Sequence, residues 1–329
     1  MRIAIVGAGA IGGLIGARLA AARSSEVSVL ARGATLQALN EKGWRLQTAQ
    51  GLVRAPAKAS HSAGELGPQD AVIIAVKATA LASVAKDIAP LLGRSTLIIP
   101  AMNGVPWWFC DRLPAFQGRP LQSVDPELTL QRLLPPSQVI GCVVHASASS
   151  PEPGLSQHRG GQRLILGEPW GGPSERVQAV CDALAQAGFE TTLSHEIRRE
   201  IWFKLWGNLT MNPVSALTGA TLEQVLADPL LLEFCTQAMA EAQRIGRRIG
   251  CEIEQSPQQR HGLTRQLGAV KTSMLQDLEA GRAIELDAIV CAVHEIGLRL
   301  GEPMPAIGAL LGLTRVLARR LGLYPAAAH

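Results

Sequence analysis

The stretch that most constrains this chain is its start, Met1 to Gly13. An apolar run from Ile3 to Val6 reads as a buried strand, Gly7-x-Gly9-x-x-Gly12 follows, and Leu14 to Ala22 reads as a helix. Strand, tight glycine turn and helix, in that order, form the context in which GxGxxG binds a dinucleotide. Gly7 allows the turn, Gly9 lets backbone approach a pyrophosphate, and Gly12 lets the helix pack close to the strand. With Ala8, Ala10 and Ile11 between them, these glycines make up the expected cofactor loop. The helix N-terminus adds free N–H groups and a partial positive charge. The plainer alternative is an ordinary glycine-rich turn.

At 329 residues the chain has room for two domains with separate cores. A hydrophobic content of 47 % with 18 % charged residues describes a globular protein, and the net charge of +4 comes from scattered basic residues rather than a patch. Nucleic-acid binding is not expected. The six cysteines lie far apart with no CxxC, so neither a metal site nor a disulfide framework is expected, and a reducing cytoplasm fits best. No uninterrupted apolar run has membrane length.

Glu26 to Ala31 reads as a second strand that ends at Arg32. An acid at this place binds the ribose 2′-hydroxyl of NAD, whereas an arginine accommodates the 2′-phosphate of NADP. Arg32 has no acid near it in sequence, which favours NADP over the alternative of a solvated loop arginine. Alternating apolar positions around Trp44, Leu46 and Leu52-Val53 suggest a hairpin. Gln69 to Val76 is a buried strand ending at Lys77, and Ser95 to Pro100 is another, with Asn103-Gly104 just beyond it. In an open parallel sheet, ligands sit past the carboxyl ends of strands, so Lys77 and Asn103 face the cofactor side. Asn-Gly alone is usually only a turn.

From Pro106 to Pro136 the chain is irregular, and Trp107-Trp108-Phe109 is a concentrated cluster in a protein that is only 4 % aromatic. Such a loop is either a lid or interface, or packs on its own domain. Val139 to His145 and Gly160 to Gly167 read as strands, antiparallel to each other. His145 and His158 are more readily structural than acid–base groups. A helix to about Ala187 and a strand from Glu190 to Leu193 follow.

Near His195 the pattern turns wholly helical. The expected architecture is therefore α/β: a Rossmann-type doubly wound sheet over 1–194 and an all-α domain over 195–329. The first helix of the second part carries Lys204, Asn208 and Asn212 at i, i+4 and i+8, on one face. These are either a surface stripe or the wall of a polar pocket, and Pro213 is expected to limit or kink the helix just after them. Glu285 and Asp287 open a later helix, where capping is the simplest use for an acid.

Reduction of a carbonyl by a nicotinamide needs a proton donor. The only tyrosine, Tyr324, lies close to the C-terminus, and no HExxH or cysteine–histidine grouping supports zinc assistance. A lysine in a pocket with a carboxylate nearby can serve. Lys204 with Glu285 is the best pair, and Lys77 is the competitor.

Taken together, Gly7-Ala8-Gly9-Ala10-Ile11-Gly12, Lys77, Asn103-Gly104, Lys204-Leu205-Trp206-x-Asn208-x-x-x-Asn212-Pro213 and Ser273-Met274-Leu275-Gln276-Asp277 followed by Glu285 resemble the ketopantoate reductase (2-dehydropantoate 2-reductase) family. The resemblance implies a Rossmann domain joined to a helical domain like that of 6-phosphogluconate dehydrogenase. It implies reduction of 2-dehydropantoate to (R)-pantoate with NADPH, on the way to pantothenate and coenzyme A. By that resemblance Lys204 donates the proton and Asn103, Asn208, Asn212 and Ser273 hold the substrate. Glu285 contacts the cofactor and helps set Lys204. Arg32, Lys77, Asn103 and Ser147 contact the cofactor.

Three departures accompany the match. The chain is longer than compact members between Asn103 and Gly141, Val270 with Lys271 stands where the family has an asparagine before the serine, and Ser147 replaces a small alanine. The rivals are a paralogue acting on another branched 2-oxo acid or ketone, and a non-catalytic NADP sensor. Apolar faces on the helical domain are compatible with a monomer or a dimer.

Overall fold

The computed structural model describes residues 1–325. The chain forms two compact units, and it crosses between them more than once: Met1–Asn103 with Leu128–Glu200 make the first, and Gly104–Glu127 with the chain from Ile201 make the second. A single division at 194/195 does not describe this, because the opening part of the irregular segment belongs to the helical unit.

The first unit is built on a parallel sheet of β1 (Arg2–Val6), β2 (Glu26–Leu30), β5 (Lys58–Ser60), β6 (Gln69–Ile74) and β7 (Leu92–Pro100), ordered β5-β2-β1-β6-β7. Its central strands are continuous apolar runs because both faces are covered, as the buried Ile3, Ile5, Val29, Val72 and Ile74 show. Helices α1 (Ala10–Ala22), α2 (Gly33–Lys42), the short α3 (Ala63–Leu66) and α4 (Ala78–Asp87) connect these strands. A second sheet consists of β3 (Trp44–Thr48), β4 (Gly51–Ala55), the long antiparallel pair β8 (Gly141–Glu152) and β9 (Leu155–Gly167), and β10 (Glu190–Ser194), with α6 (Glu175–Gln186) beside it, while α5 (Thr129–Leu133) packs on α4. Gly16 of α1 lies against the Trp44 ring so closely that an added Cβ would come within 2.2 Å of it. That contact packs α1 onto the second sheet.

Beyond Glu200 every regular element among the described residues is helical. These are α7 (Ile197–Thr218, whose first turn lies in the first unit), α8 (Leu222–Ala227), α9 (Pro229–Arg248), α10 (Pro257–Arg265), α11 (Ser273–Glu279), a π-helical turn over Asp287–Cys291, α12 (Ala292–Leu300) and α13 (Pro305–Arg320). Asp228 caps α9 by accepting the Leu230 and Leu231 N–H groups, with Pro229 at the first helical position. The buried Glu241 of α9 accepts from Ala306 N (2.9 Å) and Ile307 N (2.8 Å), so its carboxylate occupies the positive end of α13. Trp202 and Trp206 donate their indole N–H groups to Ala242 O and Met239 O, which fixes α7 on α9.

Pro213 does not end α7, which runs on to Thr218. An internal proline costs ~3 kcal/mol. Against this, Met211 and Val214 enter a cluster with Leu222, Val225, Leu226, Cys235 and Leu310, each such buried side chain contributing about 1.5–3 kcal/mol. Packing wins over the lost hydrogen bond.

The aromatic cluster is core rather than lid. Trp107, Trp108 and Phe109 are buried, and Phe109 stacks on Trp202 with centroids 5.9 Å apart. Farther along the same segment, Gln122 N and Ser123 N donate to the Glu295 carboxylate, and Arg299 donates to Pro120 O. The excursion is strapped to α12 and α7.

Candidate functional site

In the first unit the parallel register brings the expected cofactor residues to one edge. Val6 pairs with Leu30 and with Ile74, and Ile74 pairs with Pro100, so β1, β2, β6 and β7 finish level. Gly7 N donates to Leu30 O, and Ala75 N donates to Val6 O, which extends that edge by one residue. Past it stand Gly7, Arg32, Lys77 and Asn103, each just beyond its own strand.

The loop has the shape a pyrophosphate needs. Gly7 holds φ +89°, and an added Cβ would meet Val76 at 2.6 Å. A Cβ on Gly12 would fall 1.9 Å from Gly7 O, so this position admits only glycine. Gly9 differs: a Cβ there would meet nothing within 4 Å. The protein itself does not require glycine at that point, and the open space is where a close-approaching ligand would lie. Gly9 is also the N-cap of α1 and supplies no side-chain cap, which leaves the first N–H groups, from Ala10, Ile11 and Gly12, for an anion. Ala8 is buried between them. The residues present therefore fit a dinucleotide.

Arg32 is the N-cap of α2 and pairs with Asp87 at the end of α4; both side chains are mostly exposed. Sequence proximity alone had placed no acid near Arg32. The crossover through α4 delivers one. Lys77 is the N-cap of α4 and is half-buried, as is Asn103. Ser147 is an exposed residue of β8 in the second sheet, opposite Gly160. His158 is tied to the hairpin through Gly161 O at 2.6 Å, in keeping with a structural role.

In the second unit Lys204, Asn208 and Asn212 do lie along one face of α7. Lys204 and Asn208 are half-buried, and Asn212 is 5 % exposed. Ser273 is the exposed first residue of α11, whose N-cap Thr272 accepts from Leu275 N. At the departures, Lys271 pairs with Glu279 at 2.6 Å, and Val270 O accepts from Leu222 N. Both are thus engaged in holding the helices around Ser273.

Glu285 is half-buried and comes just before the π-helical turn, not at the start of a regular α-helix. Such turns widen the backbone by one residue and recur at functional sites. Tyr324 donates to the Asp287 carboxylate, and the Cys291 thiol lies 3.8 Å from the tyrosine oxygen. Burial, reinforced by Asp287, pushes the Tyr324 hydroxyl pKa upward, and burial pushes the Cys291 thiol up to about 11. Tyr324 is a half-buried brace on the turn. Ser156, donating to Ala10 O at 2.6 Å, likewise braces the cofactor loop. Neither role was visible in sequence, because no spacing links partners so far apart.

Residues 3–170 match the family profile described as ketopantoate reductase PanE/ApbA, and residues 196–318 match its C-terminal counterpart. A 2-dehydropantoate 2-reductase from Mesorhizobium japonicum is 43 % identical over 98 % of this chain and 100 % of its own length. A solved structure from Ralstonia solanacearum MolK2 is 54 % identical with a TM-score of 0.94, covering 98 % of this chain and 99 % of that one. The 2-dehydropantoate 2-reductase structure from Geobacter metallireducens GS-15 is 26 % identical with a TM-score of 0.85, covering 96 % of this chain and 100 % of that one. With both family profiles present in order on the two-unit fold that carries the glycine loop and the lysine–asparagine helix, the chain belongs to the ketopantoate reductase family.

Proposed function

We propose that the protein reduces 2-dehydropantoate to (R)-pantoate with NADPH, as a cytoplasmic step toward pantothenate and coenzyme A. The observation that carries this reading is the run Lys204, Asn208 and Asn212 along one face of α7, in a chain 43 % identical from end to end to the Mesorhizobium enzyme.

When bound, the dihydronicotinamide supplies a hydride to the keto carbon. The chain's own residues do the rest. Gly7 to Gly12 receive the pyrophosphate at the start of α1, and Arg32, at the start of α2, takes the adenosine 2′-phosphate. Lys77, Asn103 and Ser147 contact the remainder of the cofactor. Asn208, Asn212, Ser273 and Asn103 hold the substrate's hydroxyl and carboxylate, which fixes the keto group for attack from one face. Lys204 donates a proton from its ammonium to the keto oxygen as that oxygen gains charge, and is reprotonated from solvent after the alcohol leaves. Glu285 keeps Lys204 charged and aimed.

Initial rates with 2-dehydropantoate, NADPH against NADH, test the assignment. Fast, NADPH-preferring turnover is expected. Background rates with 2-dehydropantoate beside brisk turnover of another branched 2-oxo acid would overturn the substrate.

A further inference from the structure

The residues assigned to the substrate are three asparagines and a serine, all neutral. The one cation among them, Lys204, is committed to the keto oxygen. A 2-oxo acid also brings a carboxylate, and an anion drawn out of water without a positive partner is expensive to hold.

The helical unit contains such a cation without a partner. Arg260 of α10 lays its guanidinium over the Phe203 ring of α7, 5.1 Å from the centroid. Its nitrogens also press on Gly207 of α7: an added Cβ there would come within 2.8 Å of one terminal nitrogen and 3.0 Å of Nε. Nε is fully buried and has no hydrogen-bond acceptor. No carboxylate among the described residues offsets the group, and burial alone pulls its pKa down. A half-buried guanidinium, its Nε sealed from water, stacked on an aromatic ring and without a carboxylate partner, is a ready seat for an anion.

Where the guanidinium lies against α7 points to the anion. Gly207 is three residues from Lys204 and next to Asn208, and side chains three apart on a helix are about 5–6 Å apart at Cβ. In a 2-oxo acid the carboxylate carbon is bonded directly to the keto carbon. A proton donor for the keto oxygen and a guanidinium for the carboxylate therefore belong about one helical step apart.

We propose that Arg260 takes the substrate carboxylate, and that Gly207 is glycine so that the guanidinium can lie against α7 beside Lys204. This rests on the 2-oxo acid reading above. It makes Arg260 the charged partner of the acid group, beside the neutral amides and Ser273 that hold the substrate's hydroxyl and carboxylate.

The test is steady-state kinetics of the full chain with 2-dehydropantoate and with its carboxamide. The enzymes compared are wild type, Arg260→Ala, Arg260→Lys and Gly207→Ala. Losing a charge-assisted contact should raise the acid's KM in Arg260→Ala by about 10- to 100-fold, with the KM for NADPH unchanged. Arg260→Lys should fall between. Gly207→Ala improves helix propensity and meets only the movable end of the arginine, so it folds even if Arg260→Ala does not. It should raise the acid's KM in the same direction. The carboxamide, which lacks the charge, should show the same KM in all four enzymes. An unchanged KM for the acid, or an equal loss on acid and carboxamide, overturns the role of Arg260 while leaving the reductase reading intact. A wild type inactive on both, and on other 2-oxo acids, overturns that reading and this proposal with it.

Discussion

Gly104 lies directly against Ala288: a Cβ on the glycine would sit 2.5 Å from the Ala288 carbonyl oxygen, and the next residue, Val105, donates its N–H to that oxygen at 2.7 Å. The π-helical turn makes this possible. Ala292 N–H reaches back to Asp287 O, five residues away, and the wider ladder lets Ala288 O accept a bond from outside the helix. Gly104 adopts φ +85°, a region that strains any residue with a Cβ by about 1–3 kcal/mol. Gly104 thus seats its own stretch on the turn that follows Glu285, within the helical unit. Gly104→Ala should leave a folded protein, less stable in urea, whose kcat/KM falls about 10- to 100-fold through misplacement. Wild-type kcat/KM in a folded variant would remove the clamp from the account.

Lys204 carries the proton in the proposed reaction. Lys204→Ala should lose about 10²- to 10⁴-fold in kcat, the usual range for a general acid. NADPH affinity, followed by its fluorescence, should stay within error. Turnover near that of wild type would assign the proton to another group, with Lys77 the first candidate.

On the proposed NADPH preference, cofactor choice turns on Arg32. Its pairing with Asp87 is between two exposed groups and is worth only about 0–1 kcal/mol, so a 2′-phosphate can displace the carboxylate easily. Arg32→Asp should lower the ratio of kcat/KM for NADPH over NADH by about 10- to 100-fold, mostly through KM. A ratio that does not move refutes the 2′-phosphate role.

Much of the first unit was legible because each buried parallel strand is an unbroken apolar run, and the residue after it is automatically at the ligand edge. Gly7, Arg32, Lys77 and Asn103 could all be placed by that rule. The face of α7 was equally plain from its spacing of four. What escaped was tertiary in origin. Asp87 meets Arg32 only because α4 returns alongside β2's end, and Tyr324 meets Asp287 only because the chain folds back after α13. That α7 runs past Pro213 to Thr218 was not legible, because local propensity counted for less than the cluster around Met211 and Val214. The segment after Gly104 has no hydrophobic period, so nothing in it announced that Trp107 to Phe109 would join the helical core.

That burial separates a packing role from a lid. Phe109 is 0 % exposed and stacked on Trp202, on the same helix as Lys204. Phe109→Ala should cost about 3–5 kcal/mol in urea unfolding, as for other large buried aromatics. At temperatures where the variant is fully folded, KM for the 2-oxo acid should remain that of wild type. A raised KM with unchanged stability would restore the lid.

Acid sensitivity should trace to Glu168. Its carboxylate accepts from Arg176 at 2.5 and 2.7 Å and from the Ser174 hydroxyl at 2.5 Å, and Arg176 also donates to Ser137 O. The arginine first, and the serine after burial is offset, hold the carboxyl below the ordinary carboxylate range. A folded-state pKa below the unfolded one makes a contribution that is complete above the unfolded value, near ~4.3, and is lost as pH falls through the folded value. Arg176 is 33 % exposed, so solvent screening trims the pair to about 1–2 kcal/mol. Glu168→Gln should lower stability by that amount at neutral pH. It should also flatten the decline of urea midpoint below about pH 4.5, because the group that titrates there is gone. If the variant's midpoint falls on acidification as steeply as wild type's, the acid response belongs to other carboxylates.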